Sequence, residues 1–430
     1  MRPLSLLLRP LLAVALLLPT PGTVHAQSAS GVEIYDLEEA LHKAGRNNAA
    51  MQSAAQDVKI AEERVREART LFFPDVGLQG SATRFNARVP FSLRPEFGSN
   101  LLFPSNKENF FSGQAYASLP LYAGRKNINT YRLAQTGLKR ARATYDSAKL
   151  DVAYHTQKVF YRYLFAREIF QTSSALAEQA AQSGTQGRHG EDALKTVALA
   201  ADLRTETADA RRLLELARLD FLRGLNRELD TPITVVGTLE TKPVSIDLAK
   251  ALAWSTELRP ELQAQTYRSQ MDAIEVNLSL GRRIPTVVLG VDYELVGAEF
   301  PLRQNNWDAT VAVRLPFALN FWTQHQQRVA EQRQGEIHRA ELRDQVHLEV
   351  RKAHQDLEFW QAEWPLREEE YVKLRGLYES ASLVPGSPAA LSASASVLRA
   401  QRRFLEAVTE HLLSRARLER AIGRALTDPS

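Results

Sequence analysis

The sequence predicts an internally duplicated α+β membrane protein, with four β-strands per chain entering a barrel shared between chains and long α-helical hairpins extending from it. Three observations carry this reading. The stretch Ile284–Trp322 alternates between apolar and polar residues in two runs. The chain writes one unit twice. Each unit ends in helical segments far longer than a globular domain holds.

In the first run Val287, Leu289, Val291, Tyr293 and Leu295 fall on one face, opposite Asp292 and Glu294. In the second, Trp307, Ala309, Val311, Val313 and Leu315 oppose Asp308, Thr310, Ala312 and Arg314. Period-two alternation marks a strand between an apolar and a polar medium, and the apolar side is either a protein core or a lipid bilayer. A tilted strand crosses a bilayer in roughly 9–11 residues, which suits these runs. Phe300 and Trp307 flank the connecting loop, and Phe317, Phe321 and Trp322 gather at the far end. Together with Phe110, at the head of an earlier strand, they read as the two aromatic girdles of an outer-membrane barrel. Asp292, Glu294, Asp308 and Arg314 are then expected to face its lumen.

The N-terminus supports export. Arg2 and Arg9 bracket an apolar stretch, Leu11–Leu18 forms a second, and Val24-His25-Ala26 offers a small-x-small cleavage site, so residues 1–26 read as a signal peptide. No later segment approaches ~18 consecutive apolar residues, so a membrane form has to be a barrel. The absence of cysteine excludes disulfides, thiolate metal sites and a lipid-modified N-terminal cysteine. The formal charge of +4, which loses Arg2 and Arg9 with the signal peptide, is too small to point to nucleic acid.

Self-similarity sets the architecture. Asp36–Leu41, DLEEAL, recurs as DLAKAL at Asp247–Leu252, and Pro74 recurs as Pro285, both 211 positions on. Leu119-Pro120-Leu121 matches Leu315-Pro316-Phe317, and Arg132-Leu133-Ala134 matches Arg328-Val329-Ala330, now 196 positions on. The difference falls in the loop between strands, where changes of length cost little. The first repeat spans 27–240 and the second 241–430. In the first, Asp36 and Asn47 start helical segments, strands follow at about 75–85 and 110–121, and a helical hairpin runs from about 125 to 226 with a turn at Gly184–Gly190. In the second, strands at about 286–296 and 307–317 precede a hairpin from about 323 to 422, split by Val384-Pro385-Gly386-Ser387-Pro388. A helix of roughly 58 residues is about 87 Å long, and its many Ala, Leu, Arg and Glu residues suit shallow packing in a wall of helices.

Four strands cannot close a barrel, and open edges do not exist in lipid, so other copies must complete it. Two chains give eight strands and an interior filled by side chains, whereas three give twelve and leave a lumen. The charged inward residues fit the wet lumen of twelve.

On these motifs the chain resembles the TolC-type outer-membrane efflux proteins: DLxxAL, a helix ending before a proline and a strand, L-P-[LF] closing the second strand, and a long hairpin, all present in both halves. The resemblance implies a homotrimer with a twelve-stranded barrel in the outer membrane and a periplasmic coiled-coil tunnel of helical hairpins. It implies an exit duct of a tripartite efflux or type I secretion system, which conducts passively and docks on a periplasmic adaptor and an inner-membrane pump of the RND or ABC type. The family closes its tunnel and meets its adaptor at the hairpin turns. Gly187, Arg188, Gly190, Glu191, Asp192 and Leu194 match the glycine–acid–leucine pattern of the first turn; Pro385, Gly386 and Ser387 form the second. Ala389–Val397 carries no acid, so an acidic constriction would rest on Glu191 and Asp192.

No other chemistry is written in the chain. The nine histidines show no metal-ligand spacing, Arg367–Glu370 reads as a charged helix face, and the serines near Ser392–Ser396 lie in no nucleophile elbow. No phosphate loop is present, so neither cofactor nor catalytic activity is expected. A soluble periplasmic coiled-coil adaptor or scaffold would account for the helices and leave the four lipid-compatible strands without a purpose.

Overall fold

The computed structural model describes residues 32–84, 109–182, 190–316, 320–384 and 386–426. The elements run β1 (Glu33–Tyr35), α1 (Leu37–Asn47), α2 (Ala49–Thr70), β2 (Asp75–Arg84), β3 (Asn109–Ala123), α3 (Lys126–Gln182), α4 (Glu191–Gly224), β4 (Ile233–Val235), α5 (Leu248–Leu258), α6 (Pro260–Gly281), β5 (Thr286–Gly297), β6 (Gln304–Arg314), α7 (Phe321–Ser380) and α8 (Pro388–Ile422). The order is one unit written twice, strand–helix–helix–strand–strand–helix–helix, beginning at β1 and again at β4.

Local chemistry places the helix starts. Asp36 caps α1 by accepting from the Glu39 amide at 2.7 Å, and Asp247 caps α5 through the Ala249 amide, as carboxylates do at N-caps. The second helix is capped by Asn48, one residue beyond the expected start, because its Oδ1 accepts from the Ala50 amide. Position 259 is the counterpart of 48, and the two share a second job. Asn48 Nδ2 donates to the carbonyl of Gly224 at 3.1 Å, and Arg259 Nη1 to that of Ala421 at 3.5 Å, so each ties the start of a short helix to the end of the returning long one. Both long helices close on a left-handed residue, Asn226 (φ 54) and Gly423 (φ 77). The next amide then bonds back to Leu222 or Glu419, the Schellman arrangement.

Four strands form one antiparallel sheet in the order β2-β3-β5-β6. The sheet thus joins the two repeats edge to edge. Leu78, Ala115, Tyr293 and Trp307 stand in one cross-strand row, and Gly77, Tyr116, Asp292 and Asp308 in the next, which faces the other way. Tyr116 lies flat over Gly77, where a Cβ would come within 2.5 Å of its ring. β6 begins at Gln304, three residues before Trp307, because Gln304–Asn306 still pair with Glu294–Val296. Pro120 offers no N–H, and the register slips between it and Tyr122.

The helices form a wall. α3 touches α2, α4, α6 and α8, and α7 touches α5, α6 and α8. α3 has 57 residues and α7 has 60, each about 90 Å long. α7 contains Pro365, which the sequence reading passed over; the helix continues through it. The main core lies midway along the wall, where the parallel β1–β4 pair and α1 cover α3 and α4. Tyr35 meets Phe221 edge to face at 5.7 Å, among Phe160, Leu164 and Val235. In the second repeat Ala251, Val350, Leu357, Leu418 and Ile422 do the same. Arg259, almost fully buried, bridges Glu261 and Glu349, and Arg420 reaches from α8 to Asp151 on α3. The Arg420–Asp151 pair binds the two repeats together.

Two predictions follow from close packing. A Cβ at Gly335 on α7 would lie 2.6 Å from Oδ2 of the buried Asp272 on α6, which Arg268 holds at 3.0 Å. Gly335→Ala should therefore cost about 1–3 kcal/mol, read as a lower midpoint in thermal unfolding followed by helical circular dichroism. The cost should shrink when Asp272→Ala is already present. His411, wholly buried against Thr241 and Trp364, has its pKa lowered to about 4 by burial and by Arg415. The folded state thus favours the neutral ring, and stability should fall as pH drops from about 6.5 to about 4, by on the order of 3 kcal/mol in full. His411→Gln should flatten that part of the stability–pH curve.

Candidate functional site: sheet faces, helical wall and hairpin tips

The register divides the sheet into two chemistries. One face carries Val76, Leu78, Leu119, Leu289, Val291, Tyr293, Val311, Val313 and Trp307, many of them open to the surroundings; Leu78 is 87% exposed and Trp307 70%. The other carries Gln79, Ser81, Ser112, Gln114, Asn306 and Thr310, and all four expected lumen residues, Asp292, Glu294, Asp308 and Arg314, stand on it. Gln114 Nε2 donates to Asp292 Oδ2 at 3.1 Å, and Ser81 and Ser112 share a hydrogen bond across β2 and β3. A polar, hydrogen-bonded face behind an apolar one of this extent is what a strand between lipid and water requires.

The aromatic residues need one correction. Phe110 pairs with Thr83 and stands on the polar face, buried to 5% exposure. Phe111, one residue on, occupies the apolar face and meets Phe300 at 5.0 Å, so of the two it is Phe111 that shares a face with Trp307. Alternation makes a one-residue error a change of face. Phe300 and Trp307 are exposed at one end of the sheet, and Trp322 is exposed at the other beside the buried Phe321. Phe317 lies outside the described residues.

At the far ends of the helices, Gly190 (φ 71) precedes α4, whose first residues Glu191 and Asp192 are exposed. Glu191 pairs with Lys195 at 2.5 Å along the helix, and the Asp192 carbonyl accepts from Thr196. Carboxylates in a first turn also match the helix dipole. Leu194 is 72% exposed, and Val197 lies one turn on. In the second turn Gly386 (φ 71) is buried and Ser387 caps α8 through the Ala390 amide at 3.1 Å. Gly187, Arg188 and Pro385 lie outside the described residues. The two tips adjoin, because Ala180 and Leu203 of the first hairpin pack on Leu391 and Leu398 of the second. A groove beside them is lined by Leu176, Tyr378, Leu383 and Leu391.

The sequence reading missed the row on α7. Ile337, Leu348 and Phe359 are exposed at steps of eleven residues, and Leu366 and Leu377 repeat the step. Eleven residues make almost a whole number of turns, so these residues stand in a straight line. The period was present in the sequence, diluted by the charged residues between.

Residues 40–229 match the family model described as outer membrane efflux protein. No curated protein sequence matches the chain. Among solved structures, the CmeC outer membrane channel of Campylobacter jejuni matches at a TM-score of 0.73 with 15% identity, over 90% of this chain and 85% of that one. The outer membrane protein VceC of Vibrio cholerae matches at 0.70 with 15% identity, over 91% and 97%. The open state of the Neisseria gonorrhoeae MtrE outer membrane channel matches at 0.68 with 16% identity, over 91% and 89%. The duplicated four-stranded sheet and its helical hairpins are thus the fold that these outer-membrane channels share, and within the first repeat residues 40–229 carry the similarity to the outer membrane efflux protein model.

Proposed function

We infer that the protein is an outer-membrane exit duct, working as a homotrimer whose twelve strands close a barrel and whose hairpins form a tunnel into the periplasm. The observation that carries this is the sheet: one face apolar and exposed, the other polar, with both outer edges, β2 and β6, unpaired among the described residues. An open edge in lipid leaves backbone groups without partners, so β2 of one copy pairs with β6 of the next. The exposed row on α7 supports the same assembly, since a neighbouring hairpin would cover it. A soluble scaffold would leave Leu78, Trp307, Val311 and Val313 open to water for no return.

Conduction through such a duct is passive, and the energy comes from a partner in the inner membrane. The tips are the parts placed to meet a periplasmic adaptor. Leu194 and Val197 offer an apolar step beside the charged Glu191 and Asp192, and Gly386 with Ser387 shapes the neighbouring turn. Three copies would bring six carboxylates to the tunnel end, a constriction that repels itself unless cations or a partner screen it.

Mass determination in detergent should give a trimer, and single-channel recording in a planar bilayer should give a small, mostly closed conductance. Glu191→Gln with Asp192→Asn should raise the open conductance or open time severalfold. A soluble monomer without channel activity would remove the duct, and a trimer whose conductance ignores the double substitution would move the constriction elsewhere.

A further inference from the structure

The four places where a helix meets a strand lie at the foot of the sheet, and their side chains follow a pattern. α2 passes to β2 through Leu71, Phe72 and Phe73, whereas α6 passes to β5 through Arg282 and Arg283. β3 passes to α3 through Gly124, Arg125 and Lys126, whereas α7 opens with Phe321 and Trp322. Phe72 and Arg283 are equivalent, 211 positions apart, so the repeats have placed aromatic rings at one copy of the joint and guanidinium groups at the other.

These junctions touch. A Cβ on Gly124 would lie 3.0 Å from the Gly281 carbonyl and 2.9 Å from Ile284 Cβ, which sets Arg125-Lys126 beside Arg282-Arg283. Asn127 Nδ2 donates to the Leu71 carbonyl at 2.7 Å, joining the aromatic side of the cluster. The Arg283 guanidinium lies 4.3 Å from the Phe321 ring centre and 5.4 Å from that of Trp322.

All four cations are exposed, and none has a carboxylate partner among the described residues; Arg282 bonds the neutral Gln324. Of the acids on adjoining elements, Asp75 stands on the polar sheet face, Glu275 is paired with Arg328, and Glu67 sits a turn below on α2. Phe72, Phe73, Tyr122 and Trp322 are exposed at the same level. Tyr122 continues directly into the apolar face through Val287 and Val313.

Unpaired arginine and lysine alternating with exposed aromatic rings, at the border of an apolar strand face, is the composition of a surface seated at lipid headgroups. The rings lie at headgroup depth and the long cationic side chains reach up to phosphate. We propose that Arg125, Lys126, Arg282 and Arg283 bind the phosphate-bearing headgroups of anionic phospholipids in the leaflet at the foot of the barrel. This rests on the reading of the strands as membrane-spanning.

The test uses the full chain, purified in non-ionic detergent and offered phosphatidylglycerol or phosphatidylcholine, with bound lipid counted by native mass spectrometry and insertion checked in phosphatidylcholine vesicles. The wild-type chain should prefer the anionic lipid. The preference should fall about fivefold per charge removed in the series ending at R125Q/K126Q/R282Q/R283Q, and R125K/R282K/R283K should keep it. An unchanged preference in the glutamine series overturns the proposal, as does displacement of the lipid by millimolar inorganic phosphate, which would reveal a site for a free anion. If the wild-type chain fails to enter vesicles, the membrane reading falls and the proposal with it; entry without lipid preference overturns the proposal alone.

Discussion

In the proposed barrel much of this molecule answers to one constraint, that the backbone of a strand in lipid must pair on both sides. Among the described residues β3 and β5 pair on both sides, and β2 and β6 on one. An unpaired edge is tolerable in water and is not in hydrocarbon. Assembly with other copies is therefore a condition of the membrane form. In the proposed barrel the same constraint accounts for the side chains: lipid would cover the face that carries Val, Leu, Tyr and Trp, and water would reach the face on which Asp292 and Asp308 stand directly across from one another.

The helical wall solves a different problem with the same duplicated unit. Helices of nearly sixty residues cannot bury a thick core, so they meet through small residues such as Ala166, Ala210, Ala353 and Ala407, and concentrate large ones in a belt where β1, β4, α1 and α5 lie outside. The two copies of the joint at that belt have diverged in chemistry and kept their geometry. Asn48 makes its tie as a neutral amide, whereas Arg259 makes the same tie as a buried cation and needs Glu261 and Glu349 to carry it.

Much of the fold was legible in the sequence because its signals are periodic and occur twice. The strands alternate cleanly, Pro74 and Pro285 punctuate, and Asp36 and Asp247 cap. What escaped was local. Phe110 and Phe111 differ by one position, and only pairing decides which faces outward. Pro365 was passed over: a proline ordinarily ends a helix, and α7 continues through this one. The cap at Asn48 lay beside an identical Asn47, and nothing in composition separates the two. At the tips, the resemblance to the family's turn pattern singled out Glu191, Asp192 and Leu194, while the adjacency of the two turns needed the packing of Leu391 and Leu398 on Ala180 and Leu203.

The pairing of β3 with β5 also bears on how the chain is made. Ala115 has its neighbour in Tyr293, far along the chain, with the whole first hairpin between them. During synthesis the first two strands are made as an isolated hairpin, which is marginally stable at best, while α3 and α4 can already fold locally. The central seam of the sheet is thus a late, long-range closure of the slow kind. A chain cut short before β5 would carry the exposed apolar residues of its first two strands on a hairpin with no third strand to hold it.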